Sequence, residues 1–260
     1  MIFNKLIRIL SFLALICLFN SCIQPERNEY SIDYSPRQAN YFWATNCYQT
    51  TYEDNGHVLH DYYVLTDSAI NINNFFLSAS TGNKEILNLF GNYRFVYFAP
   101  DYRYKGTSIP SLESEIGMSY RNYENKISKS KSSSGTSFNI VGIEYRTNGV
   151  KSFTVSALDA GLFGKNPKES LNENFEIIRY SPDFIASAET KSLLYGYSDT
   201  DKPTNIDEWL SLKPLAQPTI HLRFKSNPSS LPITTRFKID MVTDDGLLLS
   251  DTTKSVTLTN

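Results

Sequence analysis

Histidine, cysteine and tryptophan are scarce in this chain: three, three and two in 260 residues. Each scarcity removes a class of function. Two of the histidines, His57 and His60, stand three apart in a stretch that alternates like a strand. Side chains alternate faces along a strand, so this spacing parts them and works against a shared metal. His221 is alone on another predicted strand. So few imidazoles give little general-base capacity near neutral pH. The cysteines make no disulfide framework. Cys17 lies inside an N-terminal apolar run and Cys22 closes that run. Cys47 is then left with no intramolecular partner. It is expected to be buried and inert, the alternative being an exposed reactive thiol.

Several motifs are missing too. There is no HExxH, no GxSxG and no phosphate-cradling glycine loop. Ser128-Lys129-Ser130-Lys131 spells S-x-x-K, but within the low-complexity run 128–137, which reads as a mobile loop. A nucleophile needs a rigid, partly desolvated frame, so that match is discounted. Asp199-Thr200-Asp201 and Asp244-Asp245 fall short of the roughly six to eight oxygens a calcium ion wants and read as solvated turns. No basic cluster carries interleaved aromatics, which argues against nucleic acid. No catalytic residue, metal ligand or cofactor site is therefore assigned.

What is present begins at the N-terminus. Lys5 and Arg8 form a short basic start, and Ile7 to Phe19 is almost wholly apolar. About 13 residues of helix span roughly 20 Å, short of the ~30 Å bilayer core. A basic start, a short apolar run and small residues at its end read as a secretory signal over 1–21. Removing 21 of 260 residues leaves 239, and taking Lys5 and Arg8 from 25 basic residues leaves 23 against 27 acidic. That length suits one large β domain or two smaller ones.

Seventeen tyrosines and 16 phenylalanines suit strands, where aromatic side chains pack well. Residues 22–40 are polar, with Pro25 and Pro36, and read as a tether. A β-rich domain is expected over 41–260, with a possible subdomain break near 125–140. Strands are predicted over 41–52, 57–66, 68–79, 93–99, 139–145, 152–157, 219–225, 235–242 and 247–258. Asp54-Asn55-Gly56, Asn148-Gly149 and Asp244-Asp245-Gly246 supply hairpin-type turns. Lys84 to Phe90 fits a short helix or a strand. Residues 100–137 carry little core signal. Asn166-Pro167-Lys168-Glu169 has the chemistry of a helix start, with Leu171, Phe175 and Ile178 as its buried stripe. Ile206 to Leu210 suits one more helical turn. In the last hairpin Phe237, Ile239 and Met241 share a face by alternation and should be buried, with Arg236, Lys238 and Asp240 opposite. The fold class is mainly β: antiparallel, β-sandwich-like (immunoglobulin-like), with one or two short helices.

Leu18-Phe19-Asn20-Ser21-Cys22 resembles the lipobox of bacterial lipoproteins, of the looser kind found in Bacteroidetes. The resemblance implies cleavage before Cys22 and a diacylglycerol on its sulfur. Two or three acyl chains, at ~0.8 kcal/mol per buried CH₂, make a firm anchor. Ile23, and not Asp, follows Cys22, which by the same resemblance favours the outer membrane over the inner. Gln24 to Glu29 is polar and partly acidic, like the surface-export tags of such lipoproteins, so both periplasmic and surface orientations stay open. A second resemblance covers roughly 138–260. Ile140-Val141-Gly142-Ile143-Glu144-Tyr145, Ser170 to Ile177, Thr243-Asp244-Asp245-Gly246 and Thr252 to Val256 are similar to an uncharacterised domain of Bacteroidetes lipoproteins. It implies location and β-rich class and carries no functional residue. Asp67-Ser68-Ala69 and Asp251-Thr252-Thr253 resemble the three-residue O-glycosylation signal of exported proteins from the same bacteria.

Two function classes follow. The first is a lipid-anchored envelope protein, structural or ligand-binding and not an enzyme. Its partners would be the membrane at Cys22 and a glycan or another envelope protein. Trp43, Trp209 and Tyr41, Tyr62, Tyr63, Tyr102, Tyr104, Tyr120 and Tyr123 are its candidate sugar-stacking surface, against the plainer reading that they fill a core. The alternative is an envelope glycan hydrolase whose site is assembled from scattered Asp and Glu, marked by paired carboxylates ~5–10 Å apart in a cleft.

Overall fold

The computed structural model describes residues 30–54, 57–84, 107–118, 139–180, 204–216 and 219–260. The largest sheet has six strands in the order β3 (His57–Val64), β2 (Tyr41–Asp54), β5 (Phe75–Gly82), β10 (Thr219–Phe224), β8 (Phe175–Tyr180), β9 (Thr204–Asn205), antiparallel throughout. Facing it is an antiparallel sheet of β13 (Leu248–Thr252), β12 (Phe237–Thr243) and β7 (Val150–Ala157). A third sheet joins β11 (Ile233–Thr235), β14 (Val256–Thr259) and β4 (Ala69–Asn71), with β14 and β4 parallel. Finally β1 (Tyr30–Arg37) pairs in parallel with β6 (Asn139–Arg146). The architecture is a mainly β, largely antiparallel sandwich with short helices at its margins.

Alternation explains which faces meet. Leu77 and Ala79 lie opposite Leu222 and Ile220, Phe75 follows on the same face of β5, and all five are buried. On the facing sheet Phe237, Ile239 and Met241 pair with Ala157, Val155 and Phe153, again all buried. Rings from the two sheets interlock. Phe237 stands 5.6 Å from Phe75, 6.0 Å from Phe224 and 6.2 Å from Phe175, centroid to centroid. Such aromatic pairs add roughly 0.5–1.5 kcal/mol each beyond area burial. The expected face of the last hairpin is thus the one observed: Ile239 is fully buried, while Lys238 and Asp240 are half-buried.

Several expectations need correction. Residues 30–37 are not tether, because Tyr30–Arg37 is a strand paired with β6 along its whole length; residues 22–29 lie outside the described residues. The stretch 68–79 is not one strand. Asn71 Oδ1 accepts from the Asn73 N–H at 2.9 Å and folds Ile72–Asn74 into a 3-10 turn between β4 and β5. Asn148-Gly149 closes no hairpin, since β6 and β7 belong to different sheets. No helix starts at Asn166. Lys168 has φ +74, outside the helical region, and its N–H goes to Ala157 while that of Leu171 goes to Val155. The outer edge of β7 takes the bonds a helix would have used. Leu171, Phe175 and Ile178 are all buried, but Phe175 and Ile178 lie in different apolar clusters. The stretch 247–258 breaks into β13 and β14 at residues 253–255. Residues 110–118 form a helix, α1, whose Leu112 and Ile116, one turn apart, are buried in a region that showed little core signal.

Other elements stand as expected. α2 (Ile206–Ser211) buries Ile206 and Trp209, and Glu208 accepts from the Asn205 N–H at 3.4 Å in the manner of a capping box. Asp244 and Asp245 form the turn between β12 and β13, with Gly246 at φ +87, where a Cβ would be strained. Strands on either side of 125–140 pair with each other, as β1 does with β6 and β5 with β10, and one core runs through both halves. The expectations over 85–100, 101–106, 128–137 and 199–201 lie outside the described residues.

Candidate functional site

Among the described residues the candidate aromatics do not form one platform. Trp209 is fully buried beneath α2, its indole edge-on to Phe153 at 5.6 Å, so it belongs to the core. Tyr41 and Trp43 pair at 5.5 Å and are half-buried. Tyr48 and Tyr63 stack at 5.6 Å, with Tyr63 exposed by 46%. Along β2 an odd step separates Tyr41 and Trp43 from Tyr48, so the two pairs occupy opposite faces of the sheet. The side chain of Tyr62, and Tyr102, Tyr104, Tyr120 and Tyr123, lie outside the described residues.

Several of the described ionisable groups are committed to neighbours. Asp159 grips Arg236 with both oxygens, Oδ2 to Nε at 2.9 Å and Oδ1 to Nη2 at 2.7 Å, and Oδ2 also takes the Arg236 backbone N–H at 2.9 Å. The Arg236 side chain is the main reason that the Asp159 carboxyl falls to about 2. Tyr145 Oη donates to Glu113 Oε1 at 2.7 Å and accepts the Ile109 N–H at 2.8 Å, while Tyr34 Oη donates to the Glu113 carbonyl at 2.6 Å. Burial, before the Glu113 contact, pushes the Tyr145 phenol up to about 12. These bonds dock the start of α1 on the β1–β6 pair.

On the solvent side of β12, Lys238 Nζ donates to Asp240 Oδ2 at 2.8 Å and Ser250 Oγ donates to Asp240 Oδ1 at 2.5 Å. A carboxylate beside a hydroxyl and an ammonium has the outline of a nucleophile site. The Lys238 and Asp240 side chains are 39% and 28% exposed, however, and water screens the charges that would have to activate Ser250. The cluster reads as a solvated sheet face. Burial lifts the Cys47 thiol to about 12, which keeps it protonated and unreactive, as expected for that residue. His221 sits on β10 opposite Ser78, partly buried. His57 and His60 lie on β3 opposite Asp54 and Thr51. Among the described residues no group of three or more His, Cys, Asp or Glu could hold a metal ion, and no helix is long and apolar enough to cross a membrane. Cys22 precedes the described residues.

The densest buried polar cluster was not anticipated. Arg37 and Arg146 are register partners at the ends of β1 and β6 and are almost wholly buried. Burying a guanidinium costs several kcal/mol of hydration unless acceptors meet it. For Arg146 one residue supplies two: Nε donates to Thr81 Oγ1 at 3.1 Å and Nη2 to the Thr81 carbonyl at 2.7 Å. Beside them Asn148 clamps Ala39, accepting its N–H at 2.8 Å and donating to its carbonyl at 2.9 Å. Asn172 does the same for β7, accepting from Val155 N–H and donating to the Phe153 carbonyl. The Asn172 amide takes the place of a strand at the free edge of β7, and the Asn148 amide pins the connection between β1 and β2. The sequence marked Asn148 only as a turn residue, and nothing local distinguishes a turn asparagine from a clamp. The arrangement fixes the β1–β6 pair to the sandwich.

The fold thus defines a class, a mainly β sandwich whose polar interior serves architecture. No protein-family model and no curated protein sequence matches the chain. Crystal structures of BcpA, the major pilin subunit of Bacillus cereus, and of a variant of it show 11% identity over 87% and 88% of this chain and 68% of theirs, at TM-scores of 0.19 and 0.20. TM-scores this low carry no structural argument.

Proposed function

We propose that this chain is a lipid-anchored protein of the cell envelope, held in the outer membrane through an acylated Cys22, and that its domain binds or scaffolds and does not catalyse. One observation carries the anchoring: an apolar run too short to span a bilayer ends on a cysteine, eight positions before the first strand at Tyr30. The family reading, an uncharacterised domain of Bacteroidetes lipoproteins, rests on the resemblance over 138–260 and belongs to the same proposal. Support for a non-catalytic role comes from the described titratable groups. Asp159, Glu113 and Asp240 hold Arg236, Tyr145 and Lys238, and the Cys47 thiol is buried. The partner class that fits such an anchored module is an envelope glycan or another envelope protein.

The test is made on the full chain, expressed in a host that lipidates exported proteins and fed labelled palmitate. The wild-type chain should take up label and pellet with membranes, whereas Cys22→Ala should do neither. Unchanged fractionation of Cys22→Ala refutes the anchor. Turnover of a glycan, peptidoglycan or peptide substrate that disappears on mutating one Asp or Glu pair would replace the binding reading with the hydrolase.

A further inference from the structure

β2 outruns the strand beside it. It pairs with β5 over residues 41–48 and with β3 over residues 47–54. Past Tyr48, among the described residues, β2 and β3 pair only with each other, and a two-stranded ribbon is marginal by itself in water. The other edges of the two facing sheets are short or engaged. β9 has two residues. The edge of β7 is met by the Lys168 and Leu171 N–H groups and by Asn172. On β13, Asp251 accepts the Ala44 N–H. β3 differs. It has eight residues, β2 is its only pairing partner among the described residues, and no Lys, Arg, Pro or Gly blunts it. Tyr63 and Val64 at its end are 46% and 61% exposed. One bond sets the hydrogen-bond phase of the strand. The Leu65 N–H donates to the Asn46 carbonyl at 2.8 Å, one step past the Cys47–Val64 pair. Bonded and unbonded pairs alternate along an antiparallel ladder. Odd-numbered residues of β3 therefore bond to β2, and Val58, His60, Tyr62 and Val64 aim their backbone N–H and carbonyl groups outward.

We propose that β3 is a self-docking edge: two copies of this chain pair through it, antiparallel, across a two-fold axis at His60. The phase leaves few registers, because outward-facing residues must meet outward-facing residues. With His60 opposite His60 of the second copy, Val58 meets Tyr62 on both sides of the axis, and about six main-chain hydrogen bonds form. β-branched and aromatic residues make favourable cross-strand pairs. Asp61 then stands opposite Leu59 of the second copy. Moving the axis one residue on, to Asp61, would set two carboxylates face to face, which is unfavourable. In the His60 register the edge is its own complement, so the occupant is a second copy and not an unrelated strand. The pairing also joins two marginal ribbons into one wider sheet.

The oligomeric state of the full chain in detergent, read by sedimentation velocity, tests this. Wild type should have twice the mass of one copy, and its melting temperature should rise with protein concentration. Tyr62→Pro and His60→Pro each remove one outward N–H and no bond to β2, and proline is tolerated at such edge positions. Both variants should sediment as monomers, with the wild-type circular dichroism spectrum and a melting temperature independent of concentration. Hydrogen exchange on the wild type needs no variant. The Val58, His60 and Tyr62 amides should exchange several-fold more slowly in concentrated than in dilute protein. A wild type that is monomeric at every concentration overturns the proposal and leaves the edge to a strand of another protein. A dimer that both prolines leave intact, or whose three outward amides exchange equally fast when concentrated and when dilute, overturns it too.

Discussion

Ile239 and Lys238 are neighbours in sequence and opposites in environment. Ile239 is fully enclosed between the two main sheets, whereas the Lys238 ammonium reaches a half-exposed Asp240. Ile239→Ala should cost about 2–5 kcal/mol by leaving a cavity, and Lys238→Ala about 0.5 kcal/mol or less, because water screens a surface pair. Urea titrations of the two variants check this, and comparable losses would refute the register of β12. Asp159 adds a pH dependence. Its folded-state carboxyl titrates at about 2, below the ~3.9 of an unfolded chain. A depressed carboxyl stabilises above the unfolded value and loses that contribution as pH falls through the folded one. The melting-temperature gap between wild type and Asp159→Asn should be full near about pH 6, be mostly lost near about pH 2 and vanish by about pH 1. A gap that does not change over that range would show that the Arg236 contact contributes no charge-dependent stability.

At the scale of elements, the two asparagine clamps hold backbone that no strand partners: Asn172 at the edge of β7 and Asn148 on the connection between β1 and β2. Asn148→Ala strips partners from both the N–H and the carbonyl of Ala39, a residue with no exposure. Leaving such groups unmet costs about 1–3 kcal/mol. Equilibrium denaturation should show a loss of that order, while a change within ~0.5 kcal/mol would mean that the β1–β6 pair needs no clamp. The strands themselves were legible where apolar residues alternate, as in β6, β7 and β12, because a two-residue period is a local property. Breaks within strands were harder to see. Asn71 and Lys168 act through one hydrogen bond or one dihedral, neither of which shows in a hydrophobic pattern. α1 was missed because only Leu112 and Ile116 mark its buried face. Of the candidate sites, Cys47 was legible by elimination. The clamp at Asn148 and the Arg37–Arg146 pair were not, because their partners at Ala39 and Thr81 are 109 and 65 residues away from Asn148 and Arg146.

For the molecule as a whole, sequence separation is the governing quantity. Asp251 Oδ2 accepts the Ala44 N–H across 207 residues, and Asn46 Nδ2 reaches the Lys254 carbonyl across 208. β14 ties back to β4, laying Thr257 beside Ala69 and Thr259 beside Asn71. Val256 and Leu258 are wholly buried. Burying two such side chains is worth roughly 3–6 kcal/mol, a large share of the roughly 5–15 kcal/mol that holds a typical domain. A chain ending at Ser255 should therefore show no cooperative thermal transition by calorimetry, and a retained transition would contradict the closure. The parallel pairing of β14 with β4 also sets a clock. Loop-closure entropy must be met before so distant a pair forms, so β4 stays unpaired while β14 is still inside a ribosome or a secretion pore. A protein exported as the proposed signal implies must cross the inner membrane as a loose thread. Because β4 is held through β14, this topology delays knitting until both strands are through.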